Sequence, residues 1–277
     1  MHFTAIIPAR YASTRFPGKP LAKLGGKTVI ERVYQQVSKA VDDLCVATDD
    51  DRIRQAVEVF GGRVVMTSPN HRSGTDRIRE ALDKLNENDN GNDNGNDNGN
   101  GNGFREAPEQ TAKNGDDLVI INVQGDEPFI QPSQISTVMR CFDDPDTQIA
   151  TLGKRFESVE AMKNPNSPKI VTDNRSFALY FSRSPIPFVR GKDEAEWLSH
   201  YPFLKHIGLY AYRARVLREV TQLPPSPLEV AESLEQLRWL ENGYRIKVAE
   251  TDAETIGIDT PDDLQRAEEW LRAKIHG

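Results

Sequence analysis

The sequence contains few cysteines and no long apolar run. Cys45 and Cys141 form no C-x-x-C pair, so the sequence predicts neither a metal clip nor a disulfide framework, and Cys45 fits a small buried apolar residue. No apolar run reaches the roughly 18 residues of a membrane-spanning helix, and no basic leader precedes the apolar residues 3–7. We therefore expect a cytoplasmic protein that has no membrane partner.

An excess of positive charge is also missing. The formal net charge is -7 and the isoelectric point is about 5.4, whereas a non-specific nucleic-acid binder needs a basic face. We therefore expect no nucleic-acid partner. The acidic balance does not exclude an anionic ligand, because a local basic loop can lie on an acidic protein. The 277 residues lie near the upper limit of one domain and would also suffice for two small ones; we predict a single domain over residues 1–277.

Short apolar segments alternate with helical patterns in the first half of the chain. The predicted strands cover residues 3–7, where Pro8 ends the first strand, and residues 44–47, 64–66 and 118–123. Helical patterns between them cover residues 29–37, 50–60 and 76–85. This alternation predicts an α/β fold with a mostly parallel sheet, and continuous apolar strands predict helices on both faces.

The second half of the chain is richer in strands. Residues 149–152, 169–171, 178–181 and 207–212 have strand patterns separated by loops, which predicts a mixed sheet and a strand-rich arm. The chain then continues with one amphipathic helix over residues 228–241, a late strand over 245–250 and a final helix over 261–274.

Residues 86–103 are almost entirely Asn, Asp and Gly. Such a segment has no apolar surface to bury, so we predict a flexible low-complexity insertion that extends, with its flank, over residues 86–115. A calcium-binding EF-hand loop is the alternative, but with Gly95 at its sixth position Asn occupies the acidic positions and Gly101 replaces the final Glu. The calcium pattern therefore fails.

A loop rich in arginine, glycine and proline follows the first predicted strand; we call residues 8–20 the basic loop. It contains Arg10, Arg15 and Lys19, and ligands of open α/β sheets bind at the carboxyl ends of the strands. Arginine forks and a lysine point charge suit a triphosphate. The loop has neither a Walker A nor a G-x-G-x-x-G pattern. Its position and its prolines favour phosphate binding over a merely solvated basic loop.

Two aspartates, Asp126 and Asp259, occupy positions that suit a metal ion. Asp126 comes directly after the clearest strand, where Mg²⁺ would take a few carboxylates together with phosphate oxygens, although a loop aspartate can also cap a helix. Asp259 and Thr260 precede Pro261, a favoured first helical residue, so a helix cap explains them best when they are taken alone. A second carboxylate beside Asp126 would instead favour metal binding.

These segments resemble the sugar-acid cytidylyltransferases. Residues 7–15 and 17–21 look like the nucleotide loop of that family, and the later motifs are typical of its branch that uses 3-deoxy-manno-octulosonate (KDO). Further matches follow in the same order over nearly the whole chain, at residues 47–49, 73–75, 123–128, 180–183, 206–210, 225–229, 234–238 and 259–261. The family has only a short connection in place of the insertion.

The resemblance implies a single Rossmann-like nucleotidyltransferase domain with specific site residues. The nucleotide pocket would contain Pro8, Ala9, Arg10, Arg15, Lys19, Thr48, Asp49, Ser73, Gly74 and Arg77. Arg10, Arg15, Lys19, Asp126 and Asp259 would be catalytic, and the two aspartates would bind Mg²⁺. The sugar site would contain Gln124, Arg183, His206, Tyr210, Glu232 and Gln236.

Several of these sugar-site assignments have structural alternatives. Glu232 and Gln236 are one helical turn apart and would face the same side of the predicted helix. Arg183 is the best candidate for the sugar carboxylate, because its fork matches one. His206 alone is more often structural, and either Tyr210 or Tyr212 should belong to the core.

The resemblance implies that CMP passes from CTP to the anomeric hydroxyl of KDO, giving CMP-KDO and pyrophosphate and activating KDO for lipopolysaccharide synthesis. It also suggests a homodimer. Two alternatives remain at this point: a cytidylyltransferase for another sugar acid such as sialic acid, and a nucleotide-binding module without turnover. A binder has no need of two metal carboxylates, so Asp126 and Asp259 favour the enzyme.

Overall fold

The computed structural model describes residues 1–91, 117–254 and 256–276. In chain order, the strands are β1 (His2–Ala9), β2 (Lys23–Leu24), β3 (Lys27–Thr28), β4 (Leu44–Thr48), β5 (Val64–Met66), β6 (Leu118–Asn122), β7 (Ile149–Arg155), β8 (Lys169–Thr172), β9 (Ala178–Ser182), β10 (Leu204–Arg213) and β11 (Ile246–Glu250). The helices are α1 (Val29–Val37), α2 (Asp51–Val59), α3 (Gly74–Gly91), α4 (Pro132–Arg140), α5 (Val159–Lys163), α6 (Trp197–His200), α7 (Ala214–Val220), α8 (Pro227–Glu232), α9 (Gln236–Glu241) and α10 (Pro261–His276).

One mixed sheet runs through both halves of the described chain. Its strand order is β11-β7-β10-β6-β1-β4-β5. Strand β1 pairs in parallel with β4 and β6, and β4 pairs in parallel with β5. Strand β10 is antiparallel to β6 and β7, and the hairpin β8–β9 joins the sheet through β10. The predicted α/β fold, its mixed sheet and its strand-rich arm are therefore confirmed.

Helices cover both faces of the sheet because neighbouring residues of the central strand point in opposite directions. Ala5 and Ile7 pack in a cluster with buried residues of α1, α2 and α4. Ile6 packs on the other face with buried residues of α3, α7 and α9. This arrangement explains why β1 is apolar without alternation, and it confirms the prediction of helices on both faces. Within the described ranges, every helix is too short or too polar to cross a membrane.

The structure corrects the predicted helix over residues 228–241. Helix α8 ends at Glu232, Ser233 adopts a left-handed conformation with φ 51°, and α9 begins at Gln236. The expectation that Glu232 and Gln236 share one helix face is therefore wrong. The cause lies far along the chain, because the Arg183 guanidinium donates hydrogen bonds to the carbonyls of Glu232 (2.6 Å) and Ser233 (3.2 Å) and holds the end of α8.

Two predicted boundaries also move. Strand β1 continues through Pro8 to Ala9, because Pro8 and Ala9 remain in parallel register with β4. Helix α3 continues to Gly91, so residues 86–91 are helical and the predicted insertion starts too early. The flexible insertion predicted for residues 92–115 lies outside the described residues. Both Cys45 and Cys141 are buried, and burial raises the pKa of the Cys45 thiol to about 12.

Candidate active site

A cavity of about 380 Å³ opens at the carboxyl ends of β1 and β6. The two strands pair in parallel, so their ends meet at one edge of the sheet. Gly125 lets them approach closely, because a Cβ atom built there would lie 2.7 Å from the carbonyl oxygen of Pro8. The predicted site residues that line the cavity are Pro8, Ala9, Arg10, Arg15, Lys19, Ser73, Gly74, Arg77, Gln124, Asp126 and Asp259.

Lys19 connects the two aspartates for which a metal role is predicted. Its ammonium donates hydrogen bonds to Asp126 Oδ2 and, at 3.0 Å, to Asp259 Oδ1. Arg15 Nη2 lies 3.2 Å from Asp259 Oδ2. Burial lowers the pKa of Lys19, but the charges and hydrogen bonds of both aspartates outweigh burial and raise the pKa above its ordinary value. Lys19 is therefore a fixed cation at the centre of the site.

The carboxylate of Asp259 does not cap the final helix. That function falls to Thr260 and Asp263: Thr260 Oγ1 accepts from the Asp263 N–H at 3.2 Å, and Asp263 Oδ2 accepts from the Thr260 N–H at 2.8 Å. Asp126 does not cap a helix either, because Gln131 and Gln134 cap α4. Both aspartates therefore direct their carboxylates to the cations in the cavity.

The two aspartate motifs are also joined through the main chain. The N–H of Ile258 donates to the carbonyl oxygen of Asp126 at 2.8 Å. This bond brings the segment before α10 to the end of β6, although the two segments are far apart in sequence. The cavity edge is thus built from β1, β6 and the entry to α10.

The donor set fits a magnesium ion. Asp126 and Asp259 offer hard oxygen atoms close to one nitrogen of Lys19, so they lie close to each other. Across the described residues, no group of three or more carboxylate, imidazole or thiol side chains could hold a metal ion. Mg²⁺ suits such a site, because it is usually bound by one or two carboxylates and takes its other ligands from phosphate and water.

The first turn of α3 forms another wall of the cavity. Ser73 Oγ caps the helix by accepting from the Asp76 N–H at 3.1 Å. Arg77 is buried; its Nη1 donates to Thr67 Oγ1 at 2.6 Å and its Nη2 lies 3.1 Å from Asp49 Oδ1. Thr48 and Asp49 do not themselves line the cavity. Asp49 therefore reaches the predicted nucleotide pocket through Arg77.

Comparison with known proteins decides the family. The model of the cytidylyltransferase family matches residues 4–92 and 101–248. The chain belongs to the cytidylyltransferase family. The match covers the cavity walls supplied by β1, α3 and β6, and it leaves residues 93–100 outside.

Curated relatives match this cytidylyltransferase over almost its whole length. The 3-deoxy-manno-octulosonate cytidylyltransferase of Bacteroides thetaiotaomicron is 57% identical over 275 residues, covering 98% of this chain and 99% of the relative. The enzyme of the same name from Geobacter sulfurreducens is 44% identical over 280 residues, covering 98% of this chain and 100% of the relative.

Solved structures agree with the fold of this cytidylyltransferase. A structure of CMP:2-keto-3-deoxy-manno-octonic acid synthetase complexed with CTP is 38% identical, with a TM-score of 0.81, and covers 99% of this chain and 100% of that chain. A cytidylyltransferase from Leptospira borgpetersenii has a TM-score of 0.58 at 14% identity and covers 99% of this chain and 87% of that one, so it supports the fold alone.

The residues predicted for the sugar site of this cytidylyltransferase fall into separate groups. Gln124 lines the cavity. Arg183 and Glu232 pair with each other instead: the Glu232 carboxylate accepts from Ser182 Oγ at 2.7 Å and from the Arg183 N–H at 2.9 Å. The Arg183 guanidinium is occupied by main-chain carbonyls, which include that of Pro165 at 2.9 Å. This pair therefore holds β9 to the end of α8.

His206, Tyr210 and Gln236 do not line the cavity. His206 Nε2 is 3.2 Å from Thr151 Oγ1, and its ring lies 5.3 Å from the Tyr210 ring. Burial lowers the pKa of His206 to about 4. Tyr210 and Tyr212 are both buried, although the sequence predicted only one of them in the core. Among the described residues, the amide nitrogen of buried Gln236 has no hydrogen-bond partner.

Sequence reasoning missed His71 and Arg72, which also line the cavity. The Glu80 carboxylate on α3 accepts a hydrogen bond from His71 Nε2 and another from the Ser68 N–H at 2.9 Å. These bonds, together with Lys84, outweigh burial and lower the pKa of Glu80 to about 2. Their position could have indicated this, because both residues directly precede the Ser73-Gly74 motif, which was assigned to the nucleotide pocket.

Proposed function

We propose that this cytidylyltransferase transfers CMP from CTP to the anomeric hydroxyl of KDO and releases pyrophosphate. The observation that carries the proposal is the full-length similarity, at 57% identity, to an enzyme named for that reaction. The cavity supports it, because the cations Arg10, Arg15 and Lys19 line it together with the carboxylates of Asp126 and Asp259. CMP-KDO would then supply activated KDO for lipopolysaccharide synthesis.

The reaction needs no enzyme nucleophile. The anomeric hydroxyl oxygen forms a bond to the α-phosphorus of CTP, the bond between that phosphorus and the bridging oxygen breaks, and pyrophosphate leaves with the bonding electrons. The hydroxyl proton is released as the ester forms. The difficulty is electrostatic, since an anionic sugar has to approach an anionic triphosphate.

The basic loop answers this charge problem. Arg10 and Arg15 line the cavity and present planar forks to phosphate oxygens, while Lys19 supplies a compact charge. Cations fixed in this way need little reorganisation as charge builds on the leaving group, which is the main source of catalysis in such sites. The start of α3, with Ser73 and Gly74, adds main-chain N–H groups on the opposite wall.

We propose Mg²⁺ as the metal cofactor, held by Asp126 and Asp259. When bound, Mg²⁺ would neutralise phosphate oxygens and stabilise the departing pyrophosphate. The predictions of a homodimer and of a cytoplasmic location also belong to this proposal. The resemblance to the family supports them.

The sugar specificity is tested by measuring pyrophosphate release from CTP and Mg²⁺ with KDO, with sialic acid and with no sugar. We expect fast release with KDO, slow release with sialic acid and no release without a sugar acid. Release with sialic acid but not with KDO would support the same reaction but assign the chain to a branch of the family that uses another sugar acid. CTP binding without release for either sugar acid would contradict the enzyme assignment.

A further inference from the structure

Tyr11 belongs to the basic loop but does not line the cavity, and its ring contacts Arg52 of helix α2. The Arg52 guanidinium lies over its ring, with Cζ 3.3 Å from the ring centroid. This distance is well inside the range of about 6 Å in which a cation is attracted to an aromatic face. Tyr11 directly follows Arg10, so the ring fixes the main chain beside a cavity residue.

Asp50 fixes the position of Arg52. Its carboxylate accepts from Arg52 Nε at 2.9 Å and from Nη2 at 2.6 Å, which is a bidentate pair. The same carboxylate caps α2 by accepting from the Arg52 N–H at 3.0 Å. The hydrogen bond with the Arg52 side chain lowers the pKa of Asp50, so Asp50 stays charged in neutral solution. The guanidinium is thus anchored to the start of a helix.

Gly18 closes the loop on the other side of Tyr11. The Gly18 N–H donates to the carbonyl oxygen of Tyr11 at 2.9 Å. Gly18 has a φ of +72°, and a Cβ atom built on it would lie 3.0 Å from Tyr11 Cε2. The main chain of the loop therefore folds back directly onto the tyrosine ring, and Lys19 follows at once.

We propose that Tyr11, Arg52 and Asp50 form a clamp that positions the basic loop for the triphosphate of CTP. The clamp rests on the proposed function, because it takes CTP as the ligand of the basic loop. The three clamp residues do not themselves line the cavity. Arg10 lies directly before the clamped residue, and Lys19 lies directly after the glycine packed on it. Loss of the clamp would let these cations move relative to the carboxylates and weaken CTP binding.

The chain offers a matched control on the same helix. Arg54 is also paired with acids, lying 3.0 Å from Asp51 and 3.2 Å from Glu58, but among the described residues it forms no hydrogen bond, ion pair or cation–π contact with the basic loop. We expect Arg52→Gln to raise the Kd for CTP, measured by calorimetry with Mg²⁺ present, about threefold to fivefold. Arg54→Gln should leave the Kd unchanged.

The aromatic ring is tested separately. Tyr11→Phe keeps the ring face and should bind CTP as the unsubstituted chain does, whereas Tyr11→Leu should weaken binding as much as Arg52→Gln. The double variant Tyr11→Leu/Arg52→Gln should bind CTP no worse than either single variant, because the two substitutions remove the same contact between Tyr11 and Arg52. The KM for CTP should follow the Kd, while the KM for KDO at saturating CTP stays constant.

The outcomes distinguish a failure of the clamp from a failure of the proposed function. Equal Kd values for Arg52→Gln and Arg54→Gln, in a chain that turns over CTP and KDO, would overturn the clamp alone. Equal rises in the KM for both substrates would also overturn it, because they would indicate a general loss of structure. If the unsubstituted chain binds no CTP, the proposed function fails and the clamp fails with it.

Discussion

At the scale of single residues, Lys19 determines how the site is charged. One ammonium group reaches both Asp126 and Asp259, so two carboxylates from distant parts of the sequence lie close together. Such a pair would repel in isolation, and Lys19 and Arg15 compensate it. The same cations face the space in which a triphosphate would lie. The site therefore combines two carboxylates, which would hold the proposed metal ion, with cations that suit phosphate.

The metal proposal predicts a large effect of a small change. Asp126→Asn keeps the shape of the side chain but removes its charge, so turnover should fall by roughly 10²–10³, the loss typical of one electrostatic stabiliser. The measurement is kcat at saturating Mg²⁺. Asp262→Asn, at an exposed position on α10, is the matched control and should behave as the unsubstituted chain does. Near-normal turnover of Asp126→Asn would contradict the metal role.

His206 should make the stability depend on pH. Burial lowers its pKa from 6.5 to about 4, so between these values the unfolded chain binds a proton that the folded chain does not. The free energy of unfolding should therefore fall as the pH drops through this window, by at most ~3 kcal/mol. Urea denaturation at a series of pH values measures this loss.

The controls for this prediction are two histidine variants. His206→Asn cannot titrate, so its stability should change less between pH 6.5 and pH 4 than that of the unsubstituted chain. His200→Asn removes an exposed histidine and should keep the original slope. An unchanged slope in His206→Asn would show that other groups cause the acid sensitivity.

Residue types alone predict part of the site. Arg10, Arg15 and Lys19 could be assigned from a strand followed by a basic loop, and the structure places all of them at the cavity. The surroundings of Arg183 could not be predicted, because its partners are main-chain carbonyls from segments distant in sequence. The sequence shows the guanidinium but not the groups that occupy it.

At the scale of elements, Gly125 sets the distance between the ends of β1 and β6. Gly125→Ala would place a Cβ atom 2.7 Å from Pro8 O, a main-chain atom that cannot move aside alone. We expect the free energy of unfolding to fall by about 1–3 kcal/mol, as in other overpacked sites. The value of kcat/KM should fall as well, because Asp126 moves with the strand end.

Gly208→Ala provides the comparison for this stability measurement. A Cβ atom built on Gly208, within β10, meets no atom within 4 Å. Its effect on thermal unfolding should therefore be smaller than that of Gly125→Ala. Equal stability of the two variants would mean that the strand ends are not closely constrained.

Strands could be predicted better than helix breaks. The sequence patterns identified every strand of the main sheet. In β1, β4 and β6, burial on both faces leaves a continuous apolar signal. The break between α8 and α9 leaves no signal in the sequence, because residues 228–241 keep a helical pattern throughout. Ser233 nevertheless adopts a φ that non-glycine residues rarely use. The hydrogen bonds from Arg183 that hold this end come from another part of the chain, and a local pattern cannot contain them.

At the scale of the whole molecule, the family match skips one short segment. Residues 93–100 fall outside the matched ranges 4–92 and 101–248, and α3 ends before them at Gly91. Deleting residues 93–100 should leave kcat and both KM values unchanged and alter the free energy of unfolding by about 1 kcal/mol or less, since a change in the length of the chain between two packed elements costs little. A large loss of turnover would give the segment a role in the reaction.

In the proposed reaction, the α-phosphate of CTP moves to KDO. CTP labelled at the α-phosphate, incubated with the protein, Mg²⁺ and KDO, follows this atom directly. We predict that the label appears in a KDO-linked product in equal amount to the pyrophosphate released, and only when KDO is present. Label that stays in CTP, or that appears as free CMP independently of KDO, would contradict the proposed transfer of CMP to KDO.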